Sequence, residues 1–312
     1  MQVLRTPEER FAGLDGYDFA PRYRVVVADD GTPLRFHFVD EGPRQAPPVL
    51  LLHGNPTWSY LHRHMVRGLV ERGHRVVALD LMGMGRSDKP ADPEFYTLAR
   101  HLDWMSQWLL GEDLREVTLY GQDWGGSTGL LLATRHPDRF ARLIASNTGL
   151  PVGEGVPPFL QAWLELTQSV PELDIGGLVS GGTTRSLTAA EQRAYWAPFP
   201  DAAFQVCVKR FPLLIPLQPD NPGVPLTRAA WRVLETWTKP FLTVFGDRDP
   251  VTKGAHVKFQ QLVPGARGQA HAILPEANHF IQEDAPRELV DIIDAFTRVP
   301  SAAGATQARS SG

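Results

Sequence analysis

Short apolar runs alternate with longer segments of helical periodicity through most of the chain. The runs are rich in Val, Leu and Ile, which is typical of strands buried on both faces of a parallel sheet. Segments 60–72 and 98–110 have the length and the amphipathic spacing of helices. This alternation predicts an α/β protein with a mostly parallel, doubly wound sheet. The parallel strands are expected at 47–53, 74–80, 116–120, 141–147, 240–246 and 269–274.

Both ends of the chain differ from this alternating centre. Near the N-terminus, the runs 22–27 and 34–40 flank the turn signal DDGTP, which predicts an antiparallel hairpin at an edge of the sheet. At the C-terminus, residues 300–312 are mostly small and polar, so we expect a disordered tail.

Between residues 150 and 228 the alternation of predicted strands and helices is interrupted by a segment of different composition. It is rich in proline and glycine, and its helical pieces hold many apolar and aromatic residues that need burial. We therefore expect a helical cap inserted between two strands, over the sheet edge at which α/β proteins bind ligands. The core domain is expected to comprise residues 1–149 and 229–299.

The amino-acid composition excludes several classes of function for this chain. Apolar residues make up 43% of the 312 residues and charged residues 21%, which is ordinary for a soluble globular enzyme. The net charge of −4 offers no basic surface for nucleic acid, and the single cysteine, Cys207, excludes a disulfide framework and a cysteine-based metal site. No apolar run approaches the roughly 20 residues that cross a bilayer. We expect a cytoplasmic protein without nucleic-acid or membrane partners.

The stretch GQDWGG, residues 121–126, contains the candidate nucleophile. It follows the predicted strand at 116–120 and precedes a helix, so Asp123 falls on the sharp strand-to-helix turn that hydrolases use to expose a nucleophile. Ser127 also fits the pattern G-x-S-x-G, but it falls about one turn into the helix. We therefore prefer Asp123, although an aspartate just before a helix is also a common N-cap.

Two distant motifs favour the catalytic interpretation of Asp123. FGDRDP follows a predicted strand and offers Asp249 as an acid, with Asp247 assigned to the turn; EANHFIQED places His279 in the loop after the last strand. The chain order nucleophile, acid, histidine is the order expected for triads of this kind of sheet. We expect Asp123, His279 and Asp249 to act together.

A carboxylate nucleophile indicates a particular chemistry. It is ionised near neutral pH and can attack an sp³ carbon that carries a good leaving group, giving an alkyl ester. His279 would then activate a water that hydrolyses the ester, and Asp249 would hold the imidazole. The backbone N–H groups of Asn55 and Trp124 are expected to form the oxyanion hole.

Two leaving groups suit this chemistry. An epoxide oxygen needs a proton from cap tyrosines, and the cap offers only Tyr195. A halide needs only N–H donors, and the indole of Trp124 beside the nucleophile fits that role. A second donor could come from Trp163, from Trp196 or from the side-chain amide of Asn55. Epoxide hydrolysis remains the alternative function, and a non-catalytic receptor is a third hypothesis.

Five motifs along the chain are similar to those of a known family: HGNPTWSYLHR (53–63), DLMGMGRSDKP (80–90), GQDWGG (121–126), FGDRDP (245–250) and NHFIQED (278–284). From about residue 20 to 298 the sequence resembles the haloalkane dehalogenases of the α/β-hydrolase superfamily. The resemblance implies an α/β-hydrolase fold and hydrolysis of haloalkanes to an alcohol, a halide ion and a proton, without cofactor or metal.

The resemblance also assigns roles within the site. Asp123 matches the nucleophile, His279 the base and Trp124 a halide donor. Asp249, with Trp163 in FLQAWLEL as second halide donor, looks like the branch of the 1,2-dichloroethane enzyme, whereas Asn55 in HGNPT looks like the other branch. The expected partners are a small halogenated aliphatic substrate, water and halide, and the chain is expected to be a monomer.

Overall fold

The computed structural model describes residues 1–299, with only the backbone of residue 159, so the tail predicted to be disordered at 300–312 lies outside the described residues. Eight of its strands form one sheet in the order β10-β9-β8-β7-β4-β5-β3-β2, and β1 pairs with β6. The strands are β1 Val3–Leu4, β2 Arg22–Val27, β3 Pro33–Glu41, β4 Pro48–Leu52, β5 Arg75–Leu79, β6 Lys89–Pro90, β7 Val117–Gln122, β8 Phe140–Ser146, β9 Phe241–Gly246 and β10 Ala272–Leu274.

Strand directions agree with the apolar pattern. The pairs from β5 through β4, β7, β8 and β9 to β10 are all parallel, and every residue of β4 is buried. The hairpin of β2 and β3 is antiparallel and occupies one end of the sheet, with β3 antiparallel to β5. The predicted doubly wound sheet and its edge hairpin are confirmed.

Helices cover the sheet in two groups. Helix α1 packs on α11, whereas α3 contacts both α2 and α8. The α-helices are α1 Arg63–Glu71, α2 Leu98–Gly111, α3 Trp124–Arg135, α4 Pro158–Ser169, α5 Ile175–Gly181, α6 Ala189–Trp196, α7 Val206–Leu214, α8 Val224–Leu234, α9 Ala255–Leu262, α10 Ile281–Asp284 and α11 Pro286–Thr297. None of the helices within residues 1–299 is long and apolar enough to cross a membrane.

The inserted cap is helical, as predicted. Helices α4 to α7 lie between β8 and β9, and α5 packs on α6 while α4 packs on α7. The predicted boundary after residue 228 falls inside α8, which contacts α3 of the core. Helix α8 is continuous and contacts the core, so the predicted boundary divides a single helix.

Parallel strands present their carboxyl ends at one edge of the sheet, and the segments that follow β4, β7, β8 and β9 meet there. Strand β7 continues to Gln122, two residues beyond its predicted end, because Gly121 and Gln122 still pair with Ala145 and Ser146 of β8. Only Asp123 then separates the strand from α3. The turn is tighter than the sequence pattern indicated.

Candidate active site

Asp123 occupies the strand-to-helix turn in a strained backbone conformation. Its φ of 51° and ψ of −123° lie where an L-residue is rarely found, and such strain is often kept at functional sites. Its side chain makes no capping hydrogen bond to α3. The N-cap explanation for this aspartate therefore does not account for its position.

Glycines make this tight turn possible. A Cβ on Gly121 would lie 2.6 Å from the carbonyl oxygen of Gly125, and a Cβ on Gly125 would collide with the backbone of Leu52 in β4. A Cβ on Gly54 would likewise collide with the side chain of Asp123. The absence of side chains at these positions lets α3 begin directly against β4 and leaves room for the carboxylate.

Asp123, His279 and Asp249 lie in line. The Nε2 of His279 is 3.5 Å from Oδ2 of Asp123, and its Nδ1 is 3.1 Å from Oδ1 of Asp249. Asp249 is buried and also accepts hydrogen bonds from the Val251 N–H and the Thr252 hydroxyl. The sequence thus identified three side chains that the fold brings together from the ends of three strands.

Asp249, rather than Asp247, faces the histidine. The Asp247 side chain is 38% exposed and lies 3.8 Å from the Arg248 guanidinium. Its backbone N–H donates to the carbonyl of Leu274. Asp247 therefore belongs to the turn after β9, as expected.

The backbone of the histidine loop is held by polar side chains at strand ends. Asn147, just after β8, donates its amide to the carbonyls of Asn278 (2.8 Å) and His279 (3.1 Å), and its Oδ1 accepts the Gly246 N–H. Gln122, the last residue of β7, also donates to the His279 carbonyl at 3.0 Å. Sequence analysis missed both roles; the available signal was a polar residue at the end of an otherwise apolar strand.

The two carboxylates determine the protonation of His279. Burial of the imidazole lowers its pKa, but the hydrogen bonds and charges of Asp123 and Asp249 outweigh burial and raise the pKa to about 10. For Asp249, burial raises the pKa of the carboxyl, but the hydrogen bond and charge of His279 prevail and hold that pKa below its usual value. Both carboxylates therefore favour the protonated form of the imidazole.

Two backbone N–H groups are candidates for an oxyanion hole at Asp123. The Asn55 N–H donates to Oδ1 of Asp123 at 2.8 Å, which leaves Oδ2 on the side of His279. Trp124 begins α3, and the first N–H groups of a helix have no partner within the helix. Donors in these positions stabilise negative charge that develops on the carboxyl oxygen during ester hydrolysis.

A largely apolar cavity of about 440 Å³ opens beside the nucleophile. Asp123 and Trp124 lie at its wall together with residues of the cap connection such as Leu150 and Leu160. The indole N–H of Trp124 has no acceptor among residues 1–299, and its ring packs edge-on against Phe211 of α7 at 4.5 Å between centroids. The cavity can therefore hold a small apolar molecule next to a carboxylate and a free N–H donor.

The other candidate halide donors lie in different surroundings. The Asn55 amide donates to the carbonyl of Val208 in α7 at 3.0 Å, one turn of that helix from Phe211. Trp196 donates its indole N–H to Asp174, so that donor is occupied. Trp163 is half-buried on α4, and among the described residues this helix contributes Leu160 rather than Trp163 to the cavity wall.

The chain is similar over most of its length to known proteins of one family. Residues 47–286 match the family described as alpha/beta hydrolase fold. A haloalkane dehalogenase of Psychrobacter cryohalolentis is 46% identical over 297 residues, which cover 95% of this chain and 98% of that protein. Haloalkane dehalogenase 1 of Mycobacterium tuberculosis is 49% identical over 292 residues, which cover 93% of this chain and 97% of that protein.

Solved structures give the same result. The tetrameric structure of haloalkane dehalogenase DpaA from Paraglaciecola agarilytica matches with a TM-score of 0.85 and 33% sequence identity. The match covers 95% of this chain and 97% of that chain. The likeness therefore extends over both the sheet and the inserted helices.

Proposed function

The chain belongs to the α/β-hydrolase fold family and, within it, to the haloalkane dehalogenases, and we propose that it hydrolyses carbon–halogen bonds through a covalent ester on Asp123. The family resemblance of the sequence motifs is thereby confirmed. The observation that carries the proposed mechanism is the contact of His279 with both Asp123 and Asp249, beside an apolar cavity that Asp123 lines.

In the first step, Oδ2 of Asp123 attacks the carbon that bears the halogen. A C–O bond forms, the carbon–halogen bond breaks, and the halide leaves with the bonding electron pair. Trp124 lines the cavity, and we propose that its indole N–H stabilises the departing anion. We propose the Asn55 amide as a second donor, because its NH₂ group carries two hydrogens and one of them is used in the bond to Val208.

In the second step, water hydrolyses the alkyl ester. His279 takes a proton from water, and the hydroxide adds to the carboxyl carbon of Asp123, with the oxyanion on Oδ1 held by the Asn55 N–H. The bond to the alkyl oxygen breaks, the alkoxide recovers a proton from the imidazolium, and the carboxyl group releases the remaining proton. The products are alcohol, halide and one proton per turnover.

The competing epoxide chemistry lacks its proton donor. Tyr195, the single tyrosine of the cap, is fully buried and donates its hydroxyl to Glu283. No tyrosine lines the cavity within the part of the chain that the structure describes. A halide leaving group therefore fits these surroundings better than an epoxide oxygen.

The experiment that tests the mechanism follows halide release and acidification with 1-bromobutane, for wild type and Asp123→Ala. We expect halide and acid in equal amounts from wild type and none from the variant. A single turnover in H₂¹⁸O should give alcohol without ¹⁸O, since its oxygen comes from Asp123, whereas direct attack by water would label the first alcohol. A terminal epoxide serves as the alternative substrate, and diol without halide would overturn the proposal.

We also propose the partners, the location, the quaternary state and the domain organisation of the protein. Water and halide are the proposed partners besides the haloalkane, the proposed location is the cytoplasm, and the proposed quaternary state is a monomer. The proposed domains are a core of 1–149 and 229–299 and a cap of 150–228, with α8 crossing the second junction. Trp163 stays a candidate halide donor beside Asn55.

A further inference from the structure

A buried ion-pair network lies directly behind the histidine loop. Glu283 is four residues beyond His279, and its side chain is fully buried. Arg63, at the start of α1, donates to its two carboxylate oxygens at 2.5 Å and 3.1 Å. Arg185 and the hydroxyl of Tyr195, both from the cap, donate to the same carboxylate. One acidic group of the histidine segment thus binds the core and the cap together.

A second carboxylate closes the network. Glu191, at the start of α6 in the cap, accepts from Arg63 at 2.9 Å and from Arg185 at 2.7 Å and 3.0 Å. The guanidinium of Arg185 also donates through Nε to the backbone carbonyl of Glu283 at 2.8 Å. Two arginines therefore share two glutamates across the junction of core and cap.

Backbone contacts fix the same segments against each other. Asp284 accepts the N–H groups of Thr184 and Arg185 from the cap and the N–H of Asn278 from the histidine loop. The N–H of Phe280 donates to the carbonyl of Gly182 at 3.0 Å. The residues that follow His279 are therefore bonded directly to the cap segment 182–185, and Asn278 before it is joined to that contact through Asp284.

The charges of this network favour ion pairing over the binding of a metal ion. His64, Glu191 and Glu283 offer ligand atoms within 4.8 Å of one another. However, the two glutamates are already neutralised by Arg63 and Arg185, and His64 is exposed. Cations that compete for the carboxylates would have to displace these guanidinium groups.

We propose that Arg185, with Arg63, Glu191 and Glu283, positions His279 for ester hydrolysis. This step then depends on the contact between the cap and the histidine loop. This inference rests on the two-step mechanism proposed above. Arg185 and its partners are positioning residues, since they touch the loop of His279 and not the reacting atoms. Loss of one partner from a buried ion pair leaves an uncompensated charge, so the loop is expected to shift when Arg185 is replaced.

The proposal separates the two chemical steps. Formation of the alkyl ester needs the carboxylate of Asp123 and the halide donors, which lie on the turn after β7 and the loop after β4. Hydrolysis in addition needs the imidazole within reach of a water at the ester carbon. A displacement of about 1 Å of a catalytic group can cost on the order of a hundredfold in rate. Disturbing the network should therefore slow the second step alone.

The test is single-turnover rapid-quench kinetics with 1-bromobutane and excess enzyme. Bromide reports ester formation, butanol reports ester hydrolysis, and intact-mass spectrometry detects the butyl group on the protein. In Arg185→Gln we expect bromide formation within about twofold of wild type and butanol formation slowed about 10- to 100-fold, with alkyl-enzyme accumulating. Arg185→Lys should recover part of the hydrolysis rate, because it restores the charge without the planar fork.

Two further variants keep the result interpretable. Asp284→Asn tests the same cap contact through a different residue and should also slow butanol formation selectively. Arg72→Gln removes an exposed ion pair with Asp291 on the core and should leave both steps unchanged. Melting temperatures of all variants show whether a loss of rate reflects loss of folded protein.

Each remaining outcome counts against the inference. If Arg185→Gln and Asp284→Asn hydrolyse the ester at the wild-type rate, His279 is positioned without the network. If both steps fall together in folded protein, the network supports the whole site rather than the base. Absence of bromide from wild type would overturn the proposed function and this inference with it.

Discussion

His279 must meet two opposite demands. Asp123 and Asp249 together raise its pKa to about 10, yet only the neutral imidazole can take a proton from water. Formation of the alkyl ester removes the charge of Asp123, so one of the two causes of the raised pKa disappears at that moment. The first chemical step therefore prepares the base for the second. The proton that His279 releases after ester formation is replaced at the end of hydrolysis by the proton of the Asp123 carboxyl, so one proton is released per turnover.

We predict that Asp123→Asn lowers the pKa of His279, because the uncharged amide imitates the ester and removes the charge of Asp123. The measurement is an NMR titration of the imidazole resonances in wild type and variant. Asp247→Asn is the control, because that carboxylate is partly exposed and faces Arg248. An unchanged midpoint in Asp123→Asn would show that Asp249 alone holds the proton on the imidazole.

The two candidate tryptophan donors are expected to differ in their contribution to turnover. Trp124→Phe removes the N–H donor of a residue that lines the cavity, and loss of one such donor typically costs about 100-fold or more in kcat. Trp163→Phe should change kcat by about twofold or less, since α4 presents Leu160 to the cavity. Steady-state bromide release measures both, and a larger loss at Trp163 would restore it as the second donor.

At the scale of elements, local sequence was sufficient for most of the sheet. The apolar runs located the parallel strands, and the turn signal DDGTP located the hairpin of β2 and β3. The end of β7 was predicted two residues early, because pairing of Gly121 and Gln122 with β8 is a tertiary contact that no local pattern contains. The predicted cap boundary at 228 falls inside α8, whose contact with α3 is likewise a tertiary contact.

The turn between β7 and α3 provides a stability prediction. Gly125→Ala should lower the free energy of unfolding by about 1–3 kcal/mol or more, because the added Cβ meets the backbone of Leu52, which cannot move without disturbing β4. Gly181→Ala is the matched control, since the space around that helical position is open, and it should be neutral or slightly stabilising. Urea unfolding compares the two, and equal effects would contradict the packing argument.

The candidate site divides into a part that sequence could predict and a part that it could not. Asp123, Asp249 and His279 each follow a predicted strand, and parallel strands gather their carboxyl ends, so their meeting followed from the order of elements. Asn147 and Arg185 act on the histidine loop from positions 132 and 98 residues away. Contacts of that kind depend on how the cap and the strand ends pack, which periodicity does not encode.

At the scale of the whole molecule, the proposed site is complete within one chain. Nucleophile, base, acid and the N–H donors all come from residues 1–299, and the cap that covers them is held by Arg63 and Arg185 of the same chain. Nothing in the proposed chemistry requires a residue from a second copy. Activity and assembly should therefore be separable properties of this protein.

If activity does not depend on assembly, turnover per chain should stay constant on dilution. The proposed monomer has a mass of 34.6 kDa, whereas the similar dehalogenase from Paraglaciecola agarilytica is a tetramer. Light scattering gives the mass at micromolar concentration, and halide release per chain is followed from there to nanomolar concentration. Constant turnover is expected whichever mass is found, because every proposed catalytic group belongs to one chain. Turnover that falls in parallel with dissociation would show that a neighbouring copy supports the cap or the histidine loop, and the single-chain site would then be wrong.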